Sequence, residues 1–150
     1  MTAKEYLSQY RDMVKDVRAK RDELEKLRED ATAISPQTSE GSHTPGAVSD
    51  KVGRKAAAAA DIEREIEEEC AACRLLRRDI RATIAQVRSG DLRRLLSYRY
   101  ICGCTWECVA VKMGYSYVHV VHRLHPRALQ AVGDIVLGKN EIECNIESVV

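Results

Sequence analysis

Two long apolar stripes at helical spacing constrain this chain more than any other feature. Over residues 6–34, apolar side chains recur in steps of three and four: Tyr6, Tyr10, Met13, Val17, Leu24, Leu27, Ala31 and Ile34, with Lys20 the one polar member. A second run reads Val52, Ala56, Ala59, Ile62, Ile66, Cys70, Cys73, Leu76, Ile80, Ile84 and Val87. An α-helix brings the same face round every three to four residues, so each run predicts a helix with one buried stripe. Neither helix can cover its stripe alone, so the pair predicts an antiparallel hairpin or the arms of a coiled-coil homodimer. Between them "ISPQTSEGSHTPGAVSDKVG", residues 34–53, breaks the period with Pro36, Gly41, Pro45 and Gly46, and predicts a mobile loop centred on about 35–50. His43 inside it reads as solvated.

Composition supports an all-α chain. Charged residues make up 31%, aromatics 5%, and Phe is absent, which suits long solvated helices better than a bulky sheet core. No apolar run approaches the roughly 20 residues needed to span a bilayer, and the opening "MTAKEYLSQYRDMVKD" lacks the apolar core of an export signal. The expected location is therefore the cytoplasm, with no membrane partner. In that setting the six cysteines, Cys70, Cys73, Cys102, Cys104, Cys108 and Cys144, read as reduced thiols; their spacing does not supply two matched pairs for zinc. No metal and no cofactor is expected.

The overall charge of +1 hides an asymmetry. Residues 1–73 hold 12 basic and 16 acidic groups, residues 74–127 hold 11 and 3, and residues 128–150 hold 1 and 4. A net +8 concentrated in the middle segment attracts polyanions, although solvation of helix faces by arginine is the commoner meaning of such a run.

The basic segment has a different grain. "SG" at 89–90 reads as the end of the second helix, with Gly90 as its C-terminal cap. "DLRRLLSYRYI" then gives a short helix with Leu92, Leu95, Leu96 and Tyr100 for a core. "CGC" is a turn, and Thr105 caps a helix that buries Trp106, Val109, Ala110 and Met113. Gly114 suits a positive φ, Ser116 caps a last helix from Tyr117, and Pro126 should kink that helix or mark a restart near Arg127. Three short helices with a tight turn between the last two describe a helix-turn-helix. Residues 131–150, "AVGDIVLGKNEIECNIESVV", give no clear element.

His119, His122 and His125 stand three apart in the last of these helices. Each step of three residues falls ~60° short of a full turn, so the rings do not converge on one ion. No carboxylate stands beside them to orient a catalytic base. Contact with DNA phosphates or base edges is the favoured reading, ahead of a capping role and of metal. The register stays open. With Val120 and Leu124 inward, Val118, His122 and His125 face out; with Val121, Leu124 and Ala128 inward, Tyr117, His119 and Arg123 face out.

The stretch "LLSYRYICGCTWECVAVKMGYS" resembles the region-4 helix-turn-helix of sigma-70-type factors. More closely, the chain resembles a family of small phage proteins with a sigma region-4-like C-terminal half, related to phage late-transcription regulators. The resemblance rests on Arg99, Tyr100, Ile101, Gly103, Thr105, Trp106, Glu107, Ala110, Met113 to Ser116, Arg123 to His125 and Arg127 to Leu129, with "KEYLSQYRD" and "SDKVG" as further family-like features. It covers about residues 1–130. Three departures stand out: Cys108 replaces an acidic residue, Val109 replaces Ile, and the stretch between Ser116 and "RLH" is about one residue longer.

The apolar spacing and the resemblance together predict a helical hairpin or coiled coil over 1–88 and a helix-turn-helix DNA-binding domain over 89–130; residues 131–150 are a tail outside the resemblance. The resemblance further implies a transcription regulator that binds double-stranded DNA. Base or phosphate contacts are expected from Ser116, Tyr117, His119, His122 and Arg123. Backbone contacts are expected from Lys112, Arg127, Arg93, Arg94 and Arg99, the last also a candidate structural ion-pair partner. RNA polymerase is a second expected partner, since sigma region-4 domains bind protein as well as DNA. A terminase small subunit, which pairs a helix-turn-helix with oligomerising helices, is a further alternative. The chain shows no nucleophile–base–orienter set, phosphate loop or paired acids, so no enzymatic activity is expected.

Overall fold

The computed structural model describes residues 1–33 and 47–147, and for 47–50 and 139–147 the backbone alone. The described residues are almost wholly helical and include no strand. The elements are α1 (Ala3–Thr32), α2 (Ala47–Ala85), α3 (Gly90–Leu96) extended by a π-turn (Ser97–Ile101), α4 (Trp106–Met113), and a terminal helix. That helix comprises α5 (Tyr117–His119), a second π-turn (Val120–Leu124) and α6 (His125–Glu147). Helix α2 starts at Ala47 rather than near Asp50, so 47–53 are not loop; the rest of the expected loop, His43 and Ile34 lie outside the described residues.

The chain forms two compact units, one of Met13–Ala72 and one of Met1–Asp12 with Cys73–Val150. In the first, Val17 and Leu24 are buried and Ile62 and Ile66 half-buried, as a stripe requires. Lys20, the polar member of that stripe, reaches Glu65 (3.0 Å) and Glu69 with its ammonium, and Arg28 pairs with Glu63. A lysine stem can lie along apolar surface while its charge turns to carboxylates at the edge, so the break in the period does not break the helix. Val52 and Ala56 depart from the expected burial: both are exposed, Val52 at 55%, although Leu27 and Ala31 of α1 line a shared cavity with them.

The second unit has one core fed by every element: Leu7 of α1, Ile80 and Ile84 of α2, Leu95 and Leu96 of α3, Val109 of α4, and Val120, Leu124, Ala128 and Val132 of the terminal helix. A boundary at residue 88 therefore does not separate two cores, because Ile84 and Val87 pack in the same cluster as Leu92. Tyr6 strengthens this union: its hydroxyl donates to Asp79 (2.8 Å) and lies 3.0 Å from the buried Thr83 hydroxyl. The sequence offers no clear element beyond residue 130. Residues 131–147 continue α6, and Val132 is fully buried.

The junctions follow the capping chemistry, with one reversal. Helix α2 ends at Ala85 in a tight turn, with Gln86 N–H on Thr83 O and Val87 N–H on Ile84 O. Ser89 then caps α3, accepting from Leu92 N–H, and Gly90 opens that helix instead of closing the previous one. The Gln86 side chain donates to Ala82 O (3.1 Å) at the end of α2, and Arg93 holds the linker that follows by donating to the carbonyls of Val87 (2.6 Å) and Arg88 (2.8 Å). Thr105 caps α4 as the sequence suggests, accepting from Cys108 N–H. At its other end Gly114 takes φ 71°, its N–H reaches Val111 O and the Tyr115 N–H reaches Ala110 O, a Schellman closure. Ser116 accepts from His119 N–H and starts the terminal helix.

The second π-turn resolves the register. In a straight α-helix every fourth residue drifts ~40° round the axis. The wider turn at Val120–Leu124 holds one more residue and takes that drift back, so Val120, Leu124, Ala128 and Val132 all face the core. It lies just ahead of Pro126, whose ring would crowd the carbonyl four residues back in a regular helix. The restart comes at His125, two residues before Arg127.

Candidate nucleic-acid interface

Helix α4, the turn at 114–116 and the first turns of the terminal helix set out the candidate surface. Ala110, 5% exposed, lets α4 pack closely on the π-turn of the terminal helix. The turn is fixed from outside as well: the Tyr115 hydroxyl donates to Asp91 (2.8 Å) in α3. That hydrogen bond, then the Arg94 guanidinium, holds the Asp91 carboxyl below its usual range. With Val120 and Leu124 buried, Tyr117, Val118, His119, His122 and Arg123 are all exposed. Both alternative outward sets are therefore largely solvent-facing, because the π-turn broadens the exposed arc.

The individual side chains differ in their freedom. The Ser116 hydroxyl is occupied as a cap, on a residue that is itself exposed. The His119 ring lies 5.0 Å from the Tyr115 ring, tilted by 36°. Lys112 is exposed, with its ammonium 5.6 Å from the Tyr98 ring centroid. Arg123 and Arg127 are exposed and make no ion pair among the described residues. Arg94 is exposed but paired with Asp91. Arg93 is withdrawn from the candidate phosphate contacts in one respect: its guanidinium is committed to the Val87 and Arg88 carbonyls between α2 and α3.

His125 does not face outward. Its Nε2 lies 2.8 Å from the Tyr100 hydroxyl and its ring meets Trp106 edge-on at 4.5 Å. Burial, then the nearby Lys4 and Arg99 charges, pushes its pKa down to about 4, so the ring is neutral at neutral pH. Arg99 is structural too: it donates to Cys104 O (2.9 Å) and lies 4.6 Å over the Trp106 ring. Trp106 packs at the start of α4 as a core-edge residue. Among the described residues no cluster of three His, Cys, Asp or Glu side chains has the placement of a metal site.

Sequence reasoning missed the contribution of α1. Lys4, Ser8 and Arg11 line a cavity of about 220 Å³ together with Arg99, Tyr100, Trp106, Val121 and His125. Positions 4, 8 and 11 share one helix face, a signal present in the spacing, but nothing in the sequence says what that face meets.

The chain matches no protein-family model, no curated protein and no solved structure. The described helices include none long and apolar enough to cross a membrane.

Proposed function

We propose that this chain is a sequence-specific transcription regulator of the sigma region-4 type, encoded by a phage or prophage, that binds double-stranded DNA. In this reading α1 and α2 form a helical hairpin, and α4, the turn and the terminal helix form a helix-turn-helix. The observation that carries it is the acid-free exposed surface of Tyr117, Val118, His119, His122 and Arg123 on a helix anchored by Val120 and Leu124. A recognition helix needs this combination: buried anchors on one side, and donors free to reach base edges on the other. Lys112 and Arg127, both exposed, supply phosphate contacts that fix the helix in the groove. The one-residue excess relative to the family pattern falls where the π-turn takes up one residue, so the excess does not disturb the anchoring.

Selection of binding sequences from a random duplex pool, followed by titration of the best duplex at several salt concentrations, tests the reading. Recovery of a defined motif, with affinity that falls steeply as salt rises, is the expected result. No enrichment and no salt-dependent binding would remove DNA recognition from the account.

A second reading, docking on RNA polymerase or another regulator, is favoured by two exposed aliphatic side chains, Val111 at 82% and Val118 at 64%. In the DNA reading Val118 instead meets a thymine methyl group. Val118→Ser separates the two: it lowers affinity for the selected duplex in the first case and for polymerase alone in the second.

A further inference from the structure

The cavity beside His125 has a composition that the DNA-reading surface does not explain. Its polar lining is cationic or neutral: Lys4 and Arg11 from α1, Arg99 from the π-turn after α3, Ser8, the Tyr100 hydroxyl and His125. Among the described residues no carboxylate lines it. Trp106 and Val121 supply its apolar walls. Among the described residues, the Lys4 and Arg11 side chains make no hydrogen bond or ion pair, although Arg11 is half-buried. Like charges brought together repel, and burial raises that penalty; the Glu107 carboxylate, which acts on Arg99 less than burial and Arg11 do, lies outside the lining, so the cluster favours an anion in the cavity.

We infer that this cavity is a binding site for a small oxyanion of the phosphate class. Its volume of about 220 Å³ equals about seven waters' share of liquid, room for a phosphate group with part of its hydration. Arg11 and Arg99 offer guanidinium N–H donors, Lys4 a point charge, and Ser8 and Tyr100 hydroxyls complete the donor set. The effects of the converging charges agree: burial and then Arg11 lower the Arg99 pKa, and burial, Lys4 and Arg99 lower that of His125. The groups facing the His125 ring are Lys4 of α1, Tyr100 and Arg99 of the π-turn, and Trp106 of α4. An anion among them reverses the sign of the local field, so its binding raises the His125 pKa and is accompanied by proton uptake below neutral pH.

The site does not depend on the DNA-binding proposal. The phosphate group can come from free phosphate or from a DNA backbone, and the test distinguishes them. The full chain is titrated with inorganic phosphate at constant ionic strength, in parallel by calorimetry and by NMR of the histidine ring nitrogens. Saturable binding, with His125 resonances moving and those of His122 still, is the expected result. Arg11→Gln should weaken it about tenfold while the protein's melting temperature in chloride stays unchanged or rises. If Arg11→Gln instead melts lower in chloride, Lys4→Gln takes its place with the same expectation for binding. Phosphate that fails to saturate, or moves the exposed histidines alone, overturns the site. Adding duplex DNA then assigns the source. Displacement of bound phosphate identifies the backbone as the natural donor, and simultaneous binding identifies a free anion.

Discussion

The Tyr100 hydroxyl and His125 Nε2, 2.8 Å apart, join the two π-turns found among the described residues. Tyr100 lies inside the first, and His125 directly follows the second. Both turns carry one residue more than an α-turn would, and both place an inward side chain where a regular helix would have carried it past the core. The bond ties the helix that follows α2 to the helix that carries the candidate reading surface, and holds a neutral histidine to do so.

That neutrality makes stability depend on pH. The His125 pKa is about 4 in the folded chain against about 6.5 when unfolded, so between these values the unfolded state binds the extra proton. The stabilisation is complete above 6.5 and is lost as pH falls towards 4. Because the ring is only partly buried, the loss should be about 1–2 kcal/mol rather than the full value of such a shift. Urea unfolding at pH 7.5 and pH 4.5 measures it, and His125→Gln should flatten the histidine part of the slope.

Leu7 tests the union of α1 with the helices that follow residue 72. It is fully buried in the same cluster as Ile80, Leu95 and Val120. Leu7→Ala should therefore cost about 2–5 kcal/mol, lowering the denaturation midpoint of the helical signal from that unit. A loss within ~0.5 kcal/mol, typical of a surface change, would place Leu7 outside the core.

Two glycines should respond with opposite signs. Gly114 stands at φ 71° and closes α4, so Gly114→Ala should destabilise by about 1–2 kcal/mol although nothing lies within 4 Å of the added methyl. Gly53 lies inside α2 with equally open surroundings and no positive φ, so Gly53→Ala should stabilise by about 0.5–1 kcal/mol. Thermal melts of the two variants decide both.

Much of the architecture is readable because the sequence carries local signals for it. The stripes mark α1 and α2, and Thr105, Gly114 and Ser116 mark three helix ends through cap chemistry that depends on a few neighbouring atoms. What is not readable depends on partners distant in the chain. The steps from Tyr6 to Tyr10 and Met13 pass over Leu7, because that end of α1 meets several helices and buries a wider face than a heptad stripe describes. Gly90 has the sequence context of a cap, but the tight turn at Gln86 and Val87 closes α2 and Gly90 opens α3. The π-turns carry no period of their own, so the sequence leaves the register of the terminal helix open, and the outward His125 of one of its two alternatives does not occur. Residues 131–147 mix acidic and apolar side chains too evenly for a stripe, yet Val132 needs only one position to reach the core. In the candidate site, the exposed set at 117–123 is legible from the turn before it. The α1 residues of the cationic cavity are not.

The most direct test of the central claim compares the wild-type chain with the His122→Ala, Arg123→Ala double variant on the selected duplex, by fluorescence anisotropy across a salt series. Both side chains are exposed and Arg123 is unpaired among the described residues, so the melting temperature should hold. Specific affinity should fall by about 1–3 kcal/mol for each of the two side chains that reads a base. Equal affinity and an equal salt slope in the folded double variant would contradict the assignment of this helix as the reader of DNA.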